Sequence, residues 1–528
     1  MAHEGQVLRI AVGHDFPFSV PLVAIEGRIG DLRHPNAEPH VEPNGKLCLP
    51  PFDIPDDPVR AVRTALAHAI RLVRENEAGR HVEDFQEDFG LYWRHWRTSA
   101  RPTALVLPHT TAESRFGYCV QRGERLYAFP TKGACKRYIN NLTGDHVTRP
   151  RRMAFIRIYP LPSPDFYPGN GHVLWDLVSS RSTDGLPILE ALTKSGAAVA
   201  DVVLFGRAPS GREHHVALRL SPAPPPTVVA KRLRRLLPKG DCDGSPASIC
   251  ATLAVERLET GRLDAADSRL PYLDRTTLAS KRVVVVGVGA LGAGVAKMLV
   301  QAGVRDIMVV DPDDLGWENI ARHEFGANAV GGPKAKLLAT RLRKMRPEIA
   351  RIEGFPTSYS KFVAEHPQLA LGADLTVSCT GELGADLSVE KALTSPTGGV
   401  VVYGWMEKNA LAAHTVLIER TGPRFADGFD AAGDFRLPAV EGGRPAPPEC
   451  GGSTSPFGAI ELAQAQSLVA RLCVDVLRGK VEQAVWRTWL ADRAALEDVG
   501  ARWGPAWLRE RGEPSEWGGI VSGAWSFR

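Results

Sequence analysis

The chain has 528 residues, 44% hydrophobic and 23% charged, a composition typical of a globular protein with about three or four domains. A formal net charge of +4 excludes a polybasic nucleic-acid coat protein and an acidic disordered protein. Eight scattered cysteines without a Cys-x-x-Cys pair exclude a disulfide scaffold and disfavour a structural zinc site. The absence of a secretory signal and of a long apolar run predicts a cytoplasmic protein without a membrane partner. We also expect no direct contact with nucleic acid.

Residues 1–100 predict two short strands, at 8–12 and 21–25, followed by two helices. Asp57 before Pro58 predicts a helix start, with the carboxylate as N-cap. The apolar residues Val59, Val62, Leu66, Ile70 and Val73 are spaced so that they share one face of this helix. The aromatic face of the second consists of Phe85, Phe89, Tyr92, Trp93 and Trp96.

Residues 101–265 contain strand-forming segments at 106–120, 152–161 and 200–206, separated by loops. The proline-rich stretch 222–226 predicts a linker or a break in regular structure. We therefore expect a middle domain of the α/β or α+β class.

Residues 266–528 alternate strands with helices. Apolar strands such as KRVVVVG and DIMVVD are each followed by a helical segment, which predicts a doubly wound, mostly parallel sheet. A Gly/Pro-rich stretch precedes a predicted helix at 457–477. Six of the eleven tryptophans follow this helix, and we expect them to pack against their own domain because tryptophan buries a large area.

The glycines of GVGALG lie directly between a buried strand and a helix. Gly287, Gly289 and Gly292 permit a tight turn and a close approach of phosphate to the N–H groups at the helix start. Asp311 ends the next strand, where a carboxylate can bind ribose hydroxyls. This pattern predicts an adenine nucleotide site, with an NAD-dependent dehydrogenase as the default interpretation.

The following segment argues against that default, because it brings Asn319, Arg322, His323, Lys334 and Lys336 close together in the chain. The glycine turn already accounts for the two phosphates of a dinucleotide. Additional cations suit a triphosphate whose α-phosphate is attacked while pyrophosphate leaves. The alternative interpretation of Lys334 and Lys336 is a charged, solvated helix.

Residues 281–348 resemble the ThiF/MoeB adenylating family, which includes the ubiquitin-activating enzymes, through GVGALG, VVDPDDL, ENIARH and VGGPKAK. The resemblance implies that Asp311 binds ribose. It also implies that Asn319, Arg322 and Lys334 bind ATP and stabilise the transition state of adenylation.

The same resemblance implies a magnesium ion bound by an aspartate after a Cys-Thr pair, where this chain has Gly381. Glu382 or Asp374 is a candidate substitute, so the metal ligand is left unknown. Family members act as dimers in which an arginine reaches the partner's site, which implies a homodimer with Arg269 or Arg275 in that role.

Cys450 lies in the Gly/Pro-rich loop just before the long helix. A thiol near a helix N-terminus can have a lowered pKa, and a loop can carry it toward an acyl-adenylate. By position, Cys450 resembles the thioester cysteine of activating enzymes; the alternative is an incidental loop cysteine. Cys379 and Cys473 are predicted core residues.

The N-terminal region resembles a prokaryotic ubiquitin-conjugating domain through FPFSVP and NGKLCL, although the part before Phe16 is shorter than in that family. The resemblance places Cys48 as a second thioester cysteine. His40, eight residues earlier, is the favoured positioning or acid–base residue, and His34 of HPN is the alternative.

These features together resemble the bacterial conjugating–activating fusion enzymes of anti-phage CBASS operons. The resemblance implies three domains: a conjugating-like domain at 1–100, a linker with an inactive adenylation-like domain at 101–265, and a ThiF-like adenylation domain at 266–528. It implies ATP and Mg²⁺, a protein substrate with a free C-terminus, such as a CD-NTase, and an acceptor protein with a lysine.

Four alternatives remain open at this point. The modified protein could be a ubiquitin-like modifier. The chain could be a sulfur-carrier adenylyltransferase, which NGKLCL disfavours, or a non-catalytic scaffold with an adenylation fold, which Gly381 favours. An NAD-dependent dehydrogenase is the fourth.

Overall fold

A computed structural model describes residues 7–26, 37–50, 57–108, 113–144, 149–195, 198–222, 245–267, 270, 276–393, 399–444, 456–481 and 484–527. The chain forms two compact units, which are described separately. The first comprises Met1–Lys136 and Val147–Ala266, and the second Arg137–His146 and Asp267–Arg528.

The elements are numbered in chain order. The helices are α1 (Pro58–Glu77), α2 (Asp84–Glu87), α3 (Phe89–His95), α4 (Lys132–Thr143), α5 (Gly171–Arg181), α6 (Leu186–Lys194), α7 (Pro246–Ala251), α8 (Ala290–Ala302), α9 (Lys334–Met345), α10 (Tyr359–Glu365), α11 (Pro367–Ala370), α12 (Leu383–Leu393), α13 (Ala459–Leu477), α14 (Arg493–Asp498) and α15 (Pro505–Arg511). The strands are β1 (Leu8–Ala11), β2 (Leu22–Ile25), β3 (Ser99–Val106), β4 (Arg115–Arg122), β5 (Arg125–Phe129), β6 (Arg151–Arg157), β7 (Ala200–Arg207), β8 (Glu213–Pro222), β9 (Leu253–Arg262), β10 (Arg282–Val286), β11 (Asp306–Val310), β12 (Arg351–Phe355), β13 (Leu375–Ser378), β14 (Val400–Met406), β15 (Ala412–Ile418), β16 (Val440–Gly442), β17 (Val485–Leu490), β18 (Ala501–Trp503) and β19 (Gly519–Ala524).

Helix α1 begins as predicted, because the Asp57 side chain accepts hydrogen bonds from the N–H groups of Val59 and Arg60. The apolar face predicted from spacing lies on one helix but is not its most buried side, since Val59 is 57% exposed and Ile70 37% exposed. The residues buried instead are Ala61, Ala65, Ala69 and Leu72. The alanines lie against the β1–β2 hairpin and the segment around Val41 and Leu47, where small side chains permit close approach.

The predicted aromatic face is confirmed, although it spans two short helices, α2 and α3. Its buried members are Phe85, Phe89, Tyr92 and Trp93. These side chains belong to the same hydrophobic cluster as residues of β6, β7 and β8. The boundary at residue 100 therefore stays a prediction, since this cluster contains residues on both sides of it.

The middle region forms a closed barrel of seven strands in the order β3-β5-β4-β6-β7-β8-β9. Three pairs are parallel (β3 with β5, β6 with β7, β9 with β3) and the other four are antiparallel, and helices lie between several of the strands in sequence. This mixture matches the α+β alternative. The expectation of an inactive adenylation-like domain stays a prediction.

The second unit contains an eight-stranded sheet in the order β12-β11-β10-β13-β14-β15-β17-β19. The first five strands are parallel, and the last three pair antiparallel. Successive valines of β10 join two different clusters, because Val283 and Val285 face α8 and α13 while Val284 and Val286 face the opposite side. The predicted α/β fold with a mostly parallel, doubly wound sheet is confirmed.

The tryptophan-rich C-terminal region packs against its own unit, as predicted. Trp486, Trp503, Trp507 and Trp525 are buried in one hydrophobic cluster. Trp517 is the exception and is 88% exposed. None of the helices in the described ranges has the length and apolarity needed to cross a bilayer.

Candidate functional site

The glycine turn after β10 has the tight geometry that its sequence predicts. Gly287 has φ +75°, a backbone conformation that is unfavourable for residues with a Cβ and favourable for glycine. A Cβ on Gly292 would lie 1.9 Å from the carbonyl oxygen of Gly287, so only glycine allows α8 to start so close to the strand. A Cβ on Gly289, the N-cap of α8, would meet no atom within 4 Å. The start of this 13-residue helix is therefore open to a ligand.

Asp311 follows β11 and is 5% exposed. Its carboxylate accepts hydrogen bonds from the N–H of Val288, inside the glycine turn, at 2.7 Å and from the N–H of Asp313 at 2.8 Å. Burial raises the pKa of Asp311, and the two backbone bonds oppose this shift. The side chain thus fixes the glycine turn, and its predicted contact with ribose stays a prediction.

The three polar residues predicted to bind phosphate are held by local contacts. Asn319 accepts a hydrogen bond from the N–H of Gly316 at 3.0 Å. The guanidinium of Arg322 lies over the ring of Phe457, 4.3 Å from its centroid. Lys334, 9% exposed, pairs with Asp313 at 3.0 Å.

A pocket of about 670 Å³ opens at the carboxyl ends of the parallel strands. Its polar lining includes Gly289, Asn319, Arg322 and Asp386. Its aromatic lining consists of Trp405, Phe425, Phe429 and Phe457. Of the residues singled out in this segment and the glycine turn, the pocket brings together one glycine, the asparagine, the arginine and His323. Asp311 and Lys334 lie outside this lining.

Asp386 is a residue that the sequence analysis missed. It lies in the first turn of α12 and is 8% exposed. Its Oδ1 accepts hydrogen bonds from the hydroxyls of Ser378 at 2.6 Å and Thr380 at 2.9 Å. Burial raises the pKa of Asp386 to about 6, because an isolated charge is unfavourable there. A signal was present, since a carboxylate in the first turn of a helix after a parallel strand lies at the ligand-binding edge of the sheet.

The two carboxylates considered as substitutes for the family aspartate lie elsewhere. Glu382 is exposed and is not part of the pocket lining. Asp374 precedes β13, at the opposite end of the strand from the pocket, and pairs with Lys281 at 3.2 Å. The assignment of Glu382 to the cofactor stays a prediction that this geometry does not favour.

A buried network holds Glu407, which also lines the pocket. Its carboxylate accepts hydrogen bonds from the N–H groups of Ala439 at 2.7 Å and Val440 at 2.8 Å. It also lies 2.6 Å from Nε2 of His414, whose Nδ1 accepts a hydrogen bond from the indole of Trp486 at 3.2 Å. Because Nδ1 accepts, Nε2 carries the proton and donates to Glu407. This network fixes the wall that β14 and β15 contribute.

In the first unit, Cys48 is half-buried on the loop after the short bridge at residues 46–47. Its N–H donates to the carbonyl of His40 at 2.8 Å. Burial raises the pKa of the thiol; Glu42 and Asp88 raise it further, while Lys46 lowers it. The sulfur is therefore protonated near neutral pH.

His40 has φ +57°, which is rare for a residue with a side chain. The backbone N–H of His40 donates a hydrogen bond to the hydroxyl oxygen of Tyr92 at 2.7 Å. Nε2 of His40 lies 2.7 Å from Oδ2 of Asp84. The structure thus connects His40 to Cys48 through the backbone. This is consistent with the positioning role among the two roles predicted for it.

Several predicted residues fall outside the described ranges: Cys450, His34, Arg269 and Arg275. Cys379 and Cys473 are buried, as expected for core residues.

Residues 265–404 match the model of the ThiF family. The chain is 31% identical over 230 residues to the ATP-dependent ubiquitin transferase-like protein Cap2 of Pseudomonas aeruginosa, covering 41% of this chain and 40% of that protein. It is 29% identical over 107 residues to a protein of the same name from Enterobacter hormaechei, covering 20% and 18%. It is 25% identical over 193 residues to ubiquitin-like modifier-activating enzyme 5 of Drosophila virilis, covering 32% and 47%.

The match to the ThiF model confirms the resemblance predicted from residues 281–348. The similarity to the two bacterial ubiquitin transferase-like proteins confirms the predicted resemblance to bacterial enzymes of that type. The matches span 40% and 18% of those two proteins, less than half of the length of each.

Proposed function

We propose that the chain uses ATP to adenylate the C-terminal carboxylate of a protein and then transfers that protein, through thioesters, to an amine. The observation that carries the proposal is the pocket in which an open helix start, Asn319, Arg322 and a buried carboxylate meet. A helix N-terminus and an arginine suit the phosphates of ATP. The carboxylate suits a cation bound to those phosphates.

In this proposal, the N–H groups after Gly289 bind phosphate oxygens, and Arg322 stabilises the charge that grows on the α-phosphate as the carboxylate attacks. Lys334, paired with Asp313, turns to the phosphates when ATP is bound. Asp311 retains its proposed role at the ribose. The aromatic side chains give the pocket an apolar wall against which a base or an apolar peptide residue packs.

Asp386 is our proposed ligand for Mg²⁺. A carboxylate oxygen is the ligand that this ion prefers, and a cation would offset the cost of ionising a buried carboxyl. Bound there, Mg²⁺ would neutralise phosphate charge and orient the pyrophosphate for departure.

The two thiols follow adenylation in the proposed sequence. The sulfur of Cys450 attacks the acyl-adenylate, AMP leaves and a thioester forms; Cys48 then takes the acyl group by thioester exchange. The surroundings of Cys48 suit a carrier. Burial and two carboxylates disfavour a thiolate, whereas the thioester is uncharged and costs nothing extra at the same position. A lysine of an acceptor protein finally takes the acyl group as an amide.

The proposed substrate is the CD-NTase of a CBASS operon, and a bacterial ubiquitin-like modifier is the alternative. The similarity to two proteins named ATP-dependent ubiquitin transferase-like protein Cap2 supports a protein substrate that is transferred as ubiquitin is. We further propose a cytoplasmic homodimer that pairs through the adenylation units.

ATP–pyrophosphate exchange tests the proposal. With Mg²⁺ and the co-encoded CD-NTase or ubiquitin-like protein, the wild-type chain should exchange labelled pyrophosphate into ATP. Asp386→Asn should lower the exchange rate by about tenfold or more, because the amide keeps the bonds from Ser378 and Thr380 but loses the charge. Steady-state label incorporation is the measurement.

Asp374→Asn is the matched control, because it changes an exposed carboxylate at the other end of the same strand. It should leave exchange within about twofold of the wild type, since exposed ion pairs contribute little. If Asp386→Asn exchanges pyrophosphate at the wild-type rate, Asp386 is not the Mg²⁺ ligand that we propose. A wild-type chain that exchanges with neither protein, but oxidises or reduces a substrate with a nicotinamide cofactor, would overturn the proposed function.

A further inference from the structure

We propose that His40, His81 and Asp84 form a binding site for a transition-metal ion of the Zn²⁺ class, on the loop that also positions Cys48. Nε2 of His40 lies 2.7 Å from Oδ2 of Asp84, and Nδ1 of His81 lies 2.9 Å from the same oxygen. All three ligand atoms lie within 4.8 Å of one another. His81 and Asp84 lie three residues apart, and the fold brings His40 to them from 44 positions away.

The chemistry of the donor set points to Zn²⁺. Two imidazole nitrogens and one carboxylate oxygen match the three protein ligands of open zinc sites, in which water or another ligand takes the fourth position. Ions such as Ca²⁺ and Mg²⁺ prefer sets made of oxygen alone. An entering ion would take the place of the imidazole protons that now face Asp84.

A second carboxylate, that of Glu75, contacts the other ring nitrogen of His81. Its Nε2 lies 3.1 Å from Oε2 of Glu75, near the end of α1. A histidine that binds metal through one ring nitrogen usually donates the N–H of the other to a carboxylate, which fixes the ring and its tautomer. Glu75 and His81 already have this arrangement with Nδ1 directed to the shared oxygen.

The side chains are accessible enough for an ion to enter. The exposed fractions are 26% for His40, 26% for His81 and 32% for Asp84. The two imidazole rings are nearly perpendicular, at 86°, with centroids 5.2 Å apart. One nitrogen of each ring faces the same oxygen of Asp84, and the partial exposure of all three side chains gives water access to the site.

Metal binding would act on the Cys48 loop through His40. The backbone of His40 connects Tyr92 of α3 to the N–H of Cys48, and its φ of +57° needs such support. An ion bound by His40, His81 and Asp84 would also fix the side chain of His40. It should therefore stabilise the first unit by mass action.

The test uses the purified full-length chain after removal of metals with a chelator. Equilibrium dialysis with Zn²⁺ should show a bound ion that Asp84→Asn and His81→Ala each weaken by about tenfold or more. Co²⁺ in place of Zn²⁺ should give visible absorption of low-symmetry coordination without an ultraviolet sulfur-to-metal band. Glu75→Gln should weaken binding less than either ligand variant does.

His172→Ala is the matched control, since His172 and Asp176 form another histidine–carboxylate pair, 3.4 Å apart and exposed on α5. Binding should be unchanged in this variant. Thermal unfolding without metal shows whether a variant has lost its fold. If His81→Ala has, the result for Asp84→Asn, whose side chain keeps the same shape, decides the test. Wild-type affinity in both ligand variants would overturn the proposal. So would a sulfur-to-metal band that Cys48→Ser removes.

Discussion

Cys48→Ala should abolish transfer of the activated protein to its amine acceptor while leaving the thioester on Cys450 intact. Non-reducing gels after incubation with ATP, Mg²⁺ and the protein substrate should show two reductant-sensitive adducts in the wild type. Cys48→Ala should show only the Cys450 adduct and no amide product. Cys450→Ala should show neither adduct, because Cys48 receives its acyl group only by exchange.

The physical reason for placing Cys48 second is the low reactivity of its sulfur. Burial and the neighbouring Glu42 and Asp88 raise the pKa of Cys48, so few of its sulfurs are thiolates when an acyl-adenylate forms. When the thioester donor binds, its protein surface can lower the pKa of Cys48 and so raise the thiolate fraction that the exchange needs. Cys135→Ala, at a buried cysteine of the first unit, should leave both adducts in place. Full charging of Cys48 in Cys450→Ala would show that Cys450 is not the first carrier.

The glycine turn of the candidate site could be predicted because its signals are local. The valine run of β10 determines a buried strand, and the glycines after it follow from close packing of helix and strand. The same holds for the cap of α1, where Asp57 and Pro58 act on their own helix. Such features depend on residues that are neighbours in sequence, so a local sequence pattern is enough to predict them.

Other features depended on contacts between distant residues. The stripe from Val59 to Val73 has correct helical spacing, yet the alanine face of α1 is buried because the hairpin approaches closely enough to exclude larger side chains. Asp386, by contrast, was missed although its partners Ser378 and Thr380 lie close to it in sequence. Its role depends on hydroxyls from β13 and the following turn, and the family pattern directed attention to Gly381.

The site near Cys48 illustrates the same limit. His40 was predicted to act on the thiol from the resemblance to a conjugating domain, and the structure connects the two residues through the backbone. Its imidazole faces Asp84 and, across that carboxylate, His81. No spacing rule links residues separated by 44 positions, so this cluster becomes visible only when the first unit is folded.

Two glycines of the nucleotide turn should respond in opposite ways to the same added methyl group. Gly289→Ala places the methyl in open space at the start of α8. The free energy of unfolding should change by no more than about 0.5 kcal/mol. ATP should bind at least about tenfold more weakly, a loss of about 1.4 kcal/mol, because the methyl occupies the space through which phosphate approaches the N–H groups.

Gly292→Ala should instead damage the fold of the second unit. Its methyl would lie 1.9 Å from the Gly287 carbonyl, and relieving that overlap moves α8 away from β10 at a cost of about 1–3 kcal/mol or more. Calorimetry should show a lower transition temperature for the second unit only, and titration with a fluorescent ATP analogue should separate binding from stability. If Gly289→Ala binds ATP like the wild type, the phosphates do not contact the start of α8, and the proposed direction of ATP in the pocket is wrong.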